Sequence, residues 1–208
     1  MSVPLPSRPA SLRDRNKQRL RRQIVDSALQ LVTKHGLGNV TADDIAAQAE
    51  VGRATFFRYF DSKESAVIVG FYEQRLTALV QMLNQAPPQL GPMDAVIWTF
   101  RKLGEAVADR ELKFVRLHAR MVTTSPALRA KAMEFHARYE QAIADAVAPR
   151  FRRRRAEDLR PRLVAAAALA VIQASIEHWA ARDGSPDLNA LALNALEQLK
   201  AGFSERNA

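Results

Sequence analysis

The stretch TADDIAAQAEVGRATFFRYFDSK, from Thr41 to Lys63, decides how the rest of the chain is read. Thr41 with Asp44 three residues on is a capping-box pattern that starts a helix. Ile45, Ala46 and Ala49 give that helix a small apolar face able to lie close against a neighbour. Glu50-Val51-Gly52 is a turn, with Val51 as a buried plug and Gly52 a tolerable N-cap for the next helix. That helix, Arg53 to about Tyr59, carries Arg53, Thr55, Arg58 and Tyr59 among Phe56, Phe57 and Phe60. Asp61 and Glu64 form a second capping box, D-x-x-E, so a further helix begins at once. Two short helices about a tight turn have the spacing of a helix-turn-helix, whose second helix enters the DNA major groove N-terminal end first.

Ile45, Ala46, Ala49, Val51, Thr55, Phe56, Phe57, Tyr59, Phe60, Ser62, Lys63 and Glu64 follow one amphipathic helix near the N-terminus. In that order and spacing they resemble the DNA-binding domain of the TetR/AcrR repressors. The resemblance covers roughly residues 20 to 72; beyond them only the all-helical layout agrees. It implies phosphate anchors at Thr41, Tyr59 and Lys63, and a groove-facing set of Arg53, Ala54, Thr55 and Arg58. An arginine can hold guanine O6 and N7 bidentately, and the methyls of Ala54 or Thr55 can meet a thymine methyl. Phe56 and Phe60 are expected in the core. Three positions depart from the family pattern. Glu50 stands where Gly is usual, at a left-handed turn position, so either the turn differs or strain of about 1–2 kcal/mol is tolerated. Gly52 replaces Ser or Thr, and Phe57 replaces a Tyr and offers only packing or a thymine-methyl contact.

Composition agrees with a basic, helical, DNA-binding chain. Its 208 residues suffice for a real core, and 48% hydrophobic content rich in Leu and Ala fits a soluble helical protein. The formal charge of +9 favours a polyanionic partner. Arg8, Arg13, Arg15, Lys17, Arg19, Arg21 and Arg22 crowd ahead of the motif, and Lys17 and Arg21 are candidate phosphate contacts. There is no cysteine, hence no disulfide or thiolate metal site. No signal peptide is visible, and the apolar run Leu163 to Ile176 is too short and alanine-rich to span a bilayer. The expected location is the cytoplasm, with no membrane partner.

The domain reading is a disordered basic arm over 1–16, a helix-turn-helix domain over 17–62, and a ligand-sensing and dimerisation domain over 63–208. The fold expected is all-α with about nine helices. A long helix runs from Asp61 to about Asn84, and the Pro-rich segment from Gln85 to Pro92 breaks it. Helical stripes follow over Met93 to Ala108, Glu111 to Thr124, Pro126 to Val147, Pro161 to Arg182 and Asp187 to Phe203. The last two helices, about 160–203, are alanine-rich or striped with leucine, a pattern suited to a four-helix homodimer interface. One helix-turn-helix makes few contacts, whereas a two-fold dimer reads a palindromic operator.

The resemblance also implies a cavity for a small hydrophobic effector in the second domain. Candidate lining is Phe100, Phe114, His118, Met121, His136, Tyr139, Gln173 and Glu177. A regulator without an effector is the alternative. An enzyme is not expected: no HExxH, Gly-rich phosphate loop or nucleophile elbow occurs, and the four histidines lack metal-ligand spacing. No cofactor or metal is implied. A nonspecific basic or membrane-surface binder would use the N-terminal basic run and Arg150 to Arg155.

Overall fold

The computed structural model describes residues 11–106, 109–151, 158–182, 185 and 187–202. Among these residues there are nine α-helices, two short 3-10 turns and no strand, so the fold is all-α. The helices are α1 (Leu12–His35), α2 (Ala42–Gln48), α3 (Arg53–Tyr59), α4 (Lys63–Gln85) and α5 (Pro92–Glu105). They continue with α6 (Asp109–Thr124), α7 (Pro126–Val147), α8 (Arg160–Ala180) and α9 (Leu188–Ala201). Two compact units divide the chain, Met1–Phe71 and Tyr72–Ala208, and the division falls inside α4 rather than at residue 62.

In the first unit, α1 starts ahead of the expected Lys17. Ser11 caps it: its side chain accepts from the Asp14 amide at 3.1 Å, and the Asp14 carboxylate reaches back to the Ser11 amide and hydroxyl. Residues 12–16 are therefore helical and not part of an arm; residues 1–10 lie outside the described residues. Ile24, Val25, Ala28 and Val32 of α1 pack with Val40, Ile45, Ala46, Ala49, Phe56 and Phe60 in the buried core of this unit. Gly70 of α4 is needed there. A Cβ on it would lie 2.7 Å from Val25 Cγ1 and 2.8 Å from Leu29 Cδ1, so α1 approaches α4 closely where α4 carries no side chain.

The second unit is built around Leu79 and Leu83 of α4, Val96 and Ile97 of α5, Ile143, Ala144 and Val147 of α7, Ala165, Ala168 and Leu169 of α8, and Leu196 of α9. Alanines on α8 let α7 and α9 come close, as small residues at a helix crossing do. The break between α4 and α5 is held by Arg150, whose guanidinium donates to the carbonyls of Ala86 (2.9 Å), Pro87 (2.8 Å) and Leu90 (3.2 Å). Those carbonyls belong to the end of a helix and a Pro-rich turn, where helical partners run out; the Pro87 carbonyl also accepts from the Leu90 amide at 3.1 Å. Arg150 is thus a structural staple, not the basic surface that the nonspecific reading required; Arg152 to Arg155 lie outside the described residues.

The Leu163–Ile176 run is expected to be too short to span a bilayer, but the helix that contains it, α8, has 21 residues and is long and apolar enough to do so by length and composition alone. Of its most apolar window, 28% is buried.

Candidate nucleic-acid interface and effector region

Backbone geometry first fixes α2 and α3. The Thr41 hydroxyl accepts from the Asp44 amide at 3.1 Å, and Asp44 accepts from the Thr41 amide (2.8 Å) and hydroxyl (2.7 Å), so the capping box is complete. These bonds hold the Asp44 carboxyl below its ordinary value. Of the two outcomes open at position 50, a different turn or a strained left-handed residue, the second holds: Glu50 has φ of 51°. A side chain in that region costs about 1–2 kcal/mol. Val51, expected as a buried plug, is only half-buried. Gly52 supplies no side-chain cap to α3. At the start of α4 the cap is Ser62, whose hydroxyl accepts from the Ser65 amide at 3.1 Å, rather than the Asp61–Glu64 box.

Helix α3 is sharply two-sided. Phe56 and Phe60 are fully buried on one side, while Arg53, Ala54, Phe57 and Arg58 are exposed and Thr55 and Tyr59 are half-buried. Phe57 is 41% exposed, with its ring edge-on to Phe56 at 5.2 Å. The Arg53 guanidinium lies 5.2 Å from the Phe57 ring centroid and pairs with the Asp43 carboxylate. Arg58 lies 5.5 Å from the Tyr59 ring, and Arg21 of α1 lies 5.7 Å from the Phe60 ring. Both contacts are of the cation–π kind. Lys17 is exposed on α1.

Two expected phosphate anchors are already engaged. The Thr41 hydroxyl gives its proton to Asp44, so it offers a phosphate no hydrogen while the box is closed, and Asp43 and Asp44 together make the α2 N-terminus acidic. The half-buried Lys63 ammonium donates to the carbonyls of Leu37 (2.8 Å) and Val40 (2.7 Å), tying the start of α4 to the segment before α2.

The second unit gathers some of the expected effector residues and separates others. His118 Nε2 shares a 2.8 Å hydrogen bond with the Tyr72 hydroxyl, and the Tyr139 hydroxyl donates to the Tyr72 carbonyl at 2.9 Å. Tyr72 also stacks on Phe135, with ring centroids 5.0 Å apart and planes 8° apart. Burial, aided by the Arg75 charge, pulls the His118 imidazole down to about 4, and burial pushes the Tyr72 phenol up to about 12. The cluster is therefore neutral at pH 7. Met121 is buried, while Phe114, His136 and Phe100 are half-buried, Phe100 against the core of α4, α5, α7, α8 and α9. Gln173 and Glu177 correct the expectation. Both are exposed on α8 and bond to each other at 2.9 Å, outside the aromatic cluster. Tyr72 and Phe135 were missed as candidates. Their only sequence signal is an aromatic at helical spacing, which is also the signature of ordinary packing. No group of three or more potential metal ligands occurs among the described residues.

Residues 24–66 match the description of bacterial regulatory proteins of the tetR family, and residues 90–204 match that of the MftR C-terminal domain. MftR of Mycobacterium tuberculosis, a regulator assigned to mycofactocin biosynthesis, is 31% identical over 187 residues, 88% of this chain and 91% of its own. The HTH-type transcriptional regulator TcmR of Streptomyces glaucescens is 31% identical over 199 residues, 91% of this chain and 86% of its own. Among solved structures, Thermus thermophilus FadR, a TetR-family transcriptional repressor in complex with lauroyl-CoA, superposes with a TM-score of 0.70 at 25% identity. It covers 90% of this chain and 97% of that one. Bacillus subtilis FadR in complex with stearoyl-CoA has the same fold, with a TM-score of 0.54 at 21% identity over 88% of this chain and 99% of that one. With a helix-turn-helix that buries one side of α3 and exposes the other, the chain belongs to the TetR family of DNA-binding transcriptional regulators.

Proposed function

We propose that the protein is a cytoplasmic homodimeric repressor that holds a palindromic operator through α3 of each copy and is released by a hydrophobic effector. The observation that carries the DNA-reading part is the two-sidedness of α3: Phe56 and Phe60 anchor it, and Arg53, Ala54, Phe57 and Arg58 face outward. Arg53, Thr55 and Arg58 read base edges; Tyr59, Lys17 and Arg21 meet phosphates. Lys63 and Thr41 act there mainly by shaping the motif, because the Thr41 hydroxyl hydrogen and two of the three Lys63 ammonium hydrogens are used inside it.

The pairing surface is α8 with α9. A helix as apolar as α8 yet so little buried, with Leu163 56% exposed, supports coverage by a second copy. Phe203, at the end of the expected interface, lies outside the described residues.

For the effector, a fatty acyl-CoA thioester is the class we favour. The lauroyl-CoA held by the Thermus relative supports it, as does the aromatic cluster of Tyr72, His118, Phe135 and Tyr139, which is apolar in bulk with a few polar tips. Release follows if the effector prefers the conformer that does not fit the operator. A second reading is a regulator with no effector, favoured by the way Tyr72, His118 and Tyr139 satisfy one another's hydrogen bonds.

The test uses an operator selected from a random duplex library by the purified protein. Lauroyl-CoA, laurate and coenzyme A are each added to the complex while melting temperature and DNA release are followed. Lauroyl-CoA should raise the melting temperature and release the DNA, with laurate and coenzyme A weaker on both counts. If none does both, the second reading stands. Equal retention of every duplex would overturn the sequence-specific reading itself, and Arg58→Ala should cost about 1–3 kcal/mol at particular base pairs only.

A further inference from the structure

We propose that Asp43 is a positioning residue for DNA specificity: from α2 it braces the Arg53 guanidinium at the start of α3 and fixes the base pair that Arg53 reads. The inference rests on the DNA-reading assignment of Arg53 made above.

Three observations meet at this arginine. Its guanidinium pairs with the Asp43 carboxylate, ten residues earlier and on the other helix of the motif. The same group lies 5.2 Å from the centre of the Phe57 ring, one turn further along α3. Both partners of the ion pair are solvent-exposed, at 66% for the Arg53 side chain and 57% for Asp43, so the pair sits on the outer surface of the motif and not in its core.

A guanidinium carries five donors in a rigid plane, and a carboxylate engages one side of it. The remaining donors then present a bidentate edge in one orientation, which suits guanine O6 and N7. An unbraced arginine samples many rotamers and can turn to a phosphate instead, which gives affinity without sequence information. The carboxylate also repels phosphate, so a duplex that does not engage Arg53 meets a negative charge at the interface. Asp43 thus trades general affinity for discrimination.

Preferences of wild type, Asp43→Ala, Asp43→Asn, Arg53→Ala and the Asp43→Ala/Arg53→Ala double variant are measured by selection from a random duplex library at fixed salt. Affinities for the selected site and its single-base-pair variants follow, with melting temperature as a check on folding. Asp43→Asn, which preserves size and leaves the α2 cap residues in place, serves if the alanine variant does not fold. Loss of the brace should reduce preference at the Arg53 base pair about 2–5-fold, the scale of an exposed ion pair, and raise affinity for unrelated duplexes. In the Arg53→Ala background, changing Asp43 should leave that base pair's preference unmoved. A merely stabilising Asp43 would shift melting temperature and leave preference alone, and a merely repulsive one would shift affinity for all duplexes equally; either result overturns the proposal. If Arg53→Ala alone alters no preference, the reader assignment of Arg53 fails, and the brace with it.

Discussion

The Tyr139 hydroxyl of α7 donates to the main-chain carbonyl of Tyr72 in α4 over 2.9 Å, while the Tyr72 side chain bonds His118 of α6 over 2.8 Å. One residue of α4 is therefore gripped twice, through backbone by one helix and through side chain by another. Polar ties of this kind in an apolar surround are directional, and each is costly to leave unmade. They give α4, which continues into the DNA-reading unit, a defined attachment beside the aromatic cluster.

Because His118 titrates near 4 in the folded chain and near its ordinary 6.5 when unfolded, the unfolded state binds the extra proton first as pH falls. Stability should be level above about pH 6.5 and fall between 6.5 and 4. The loss is about 3 kcal/mol if the whole shift is realised. Urea titrations across that window check it, and His118→Gln should flatten the slope. Asp44 acts in the same sense but at lower pH, since its carboxyl is held below 3.8, so the two contributions separate.

Glu50→Gly should stabilise the protein by about 1 kcal/mol, because it removes the Cβ penalty at φ of 51°. The measurement is the denaturation midpoint with an unchanged m-value. A loss of stability would mean that the Glu50 side chain makes a contact worth more than the strain.

Gly70→Ala sets two effects against each other. Alanine gains about 1 kcal/mol of helix propensity, but its methyl would lie 2.7–2.8 Å from Val25 and Leu29. Val25, being β-branched and buried, has little freedom to move away even where Leu29 can shift, and overpacking costs about 1–3 kcal/mol. The net expectation is a destabilised first unit, seen as a lower melting temperature and weaker binding to every duplex.

Lys63→Ala should act on two readouts together. It leaves the carbonyls of Leu37 and Val40 without their donor, costing about 1–3 kcal/mol of stability. It should also weaken binding to all sequences alike, through loosening of the motif. A flattened salt dependence with unchanged stability would instead place the ammonium on a phosphate.

Much of this was legible in the order of residues. The helix-turn-helix is written locally: Thr41 and Asp44 are three apart, the turn is three residues long, and Phe56 and Phe60 recur at helical spacing. Caps, periodicity and turn length act over a few residues, so reading them needs no tertiary information. At Glu50 the family resemblance left open a different turn or a strained one, and the folded backbone is left-handed. Tertiary structure alone decided where long, polar-tipped side chains spend their donors. Lys63 reaches carbonyls more than twenty residues away, Arg150 sixty or more, and Tyr139 meets Tyr72 across sixty-seven. It likewise put Gln173 and Glu177 on the exposed face of α8 and paired Asp43 with Arg53. Helical spacing says which residues share a stripe, but which stripe meets which depends on how helices distant in the chain pack together.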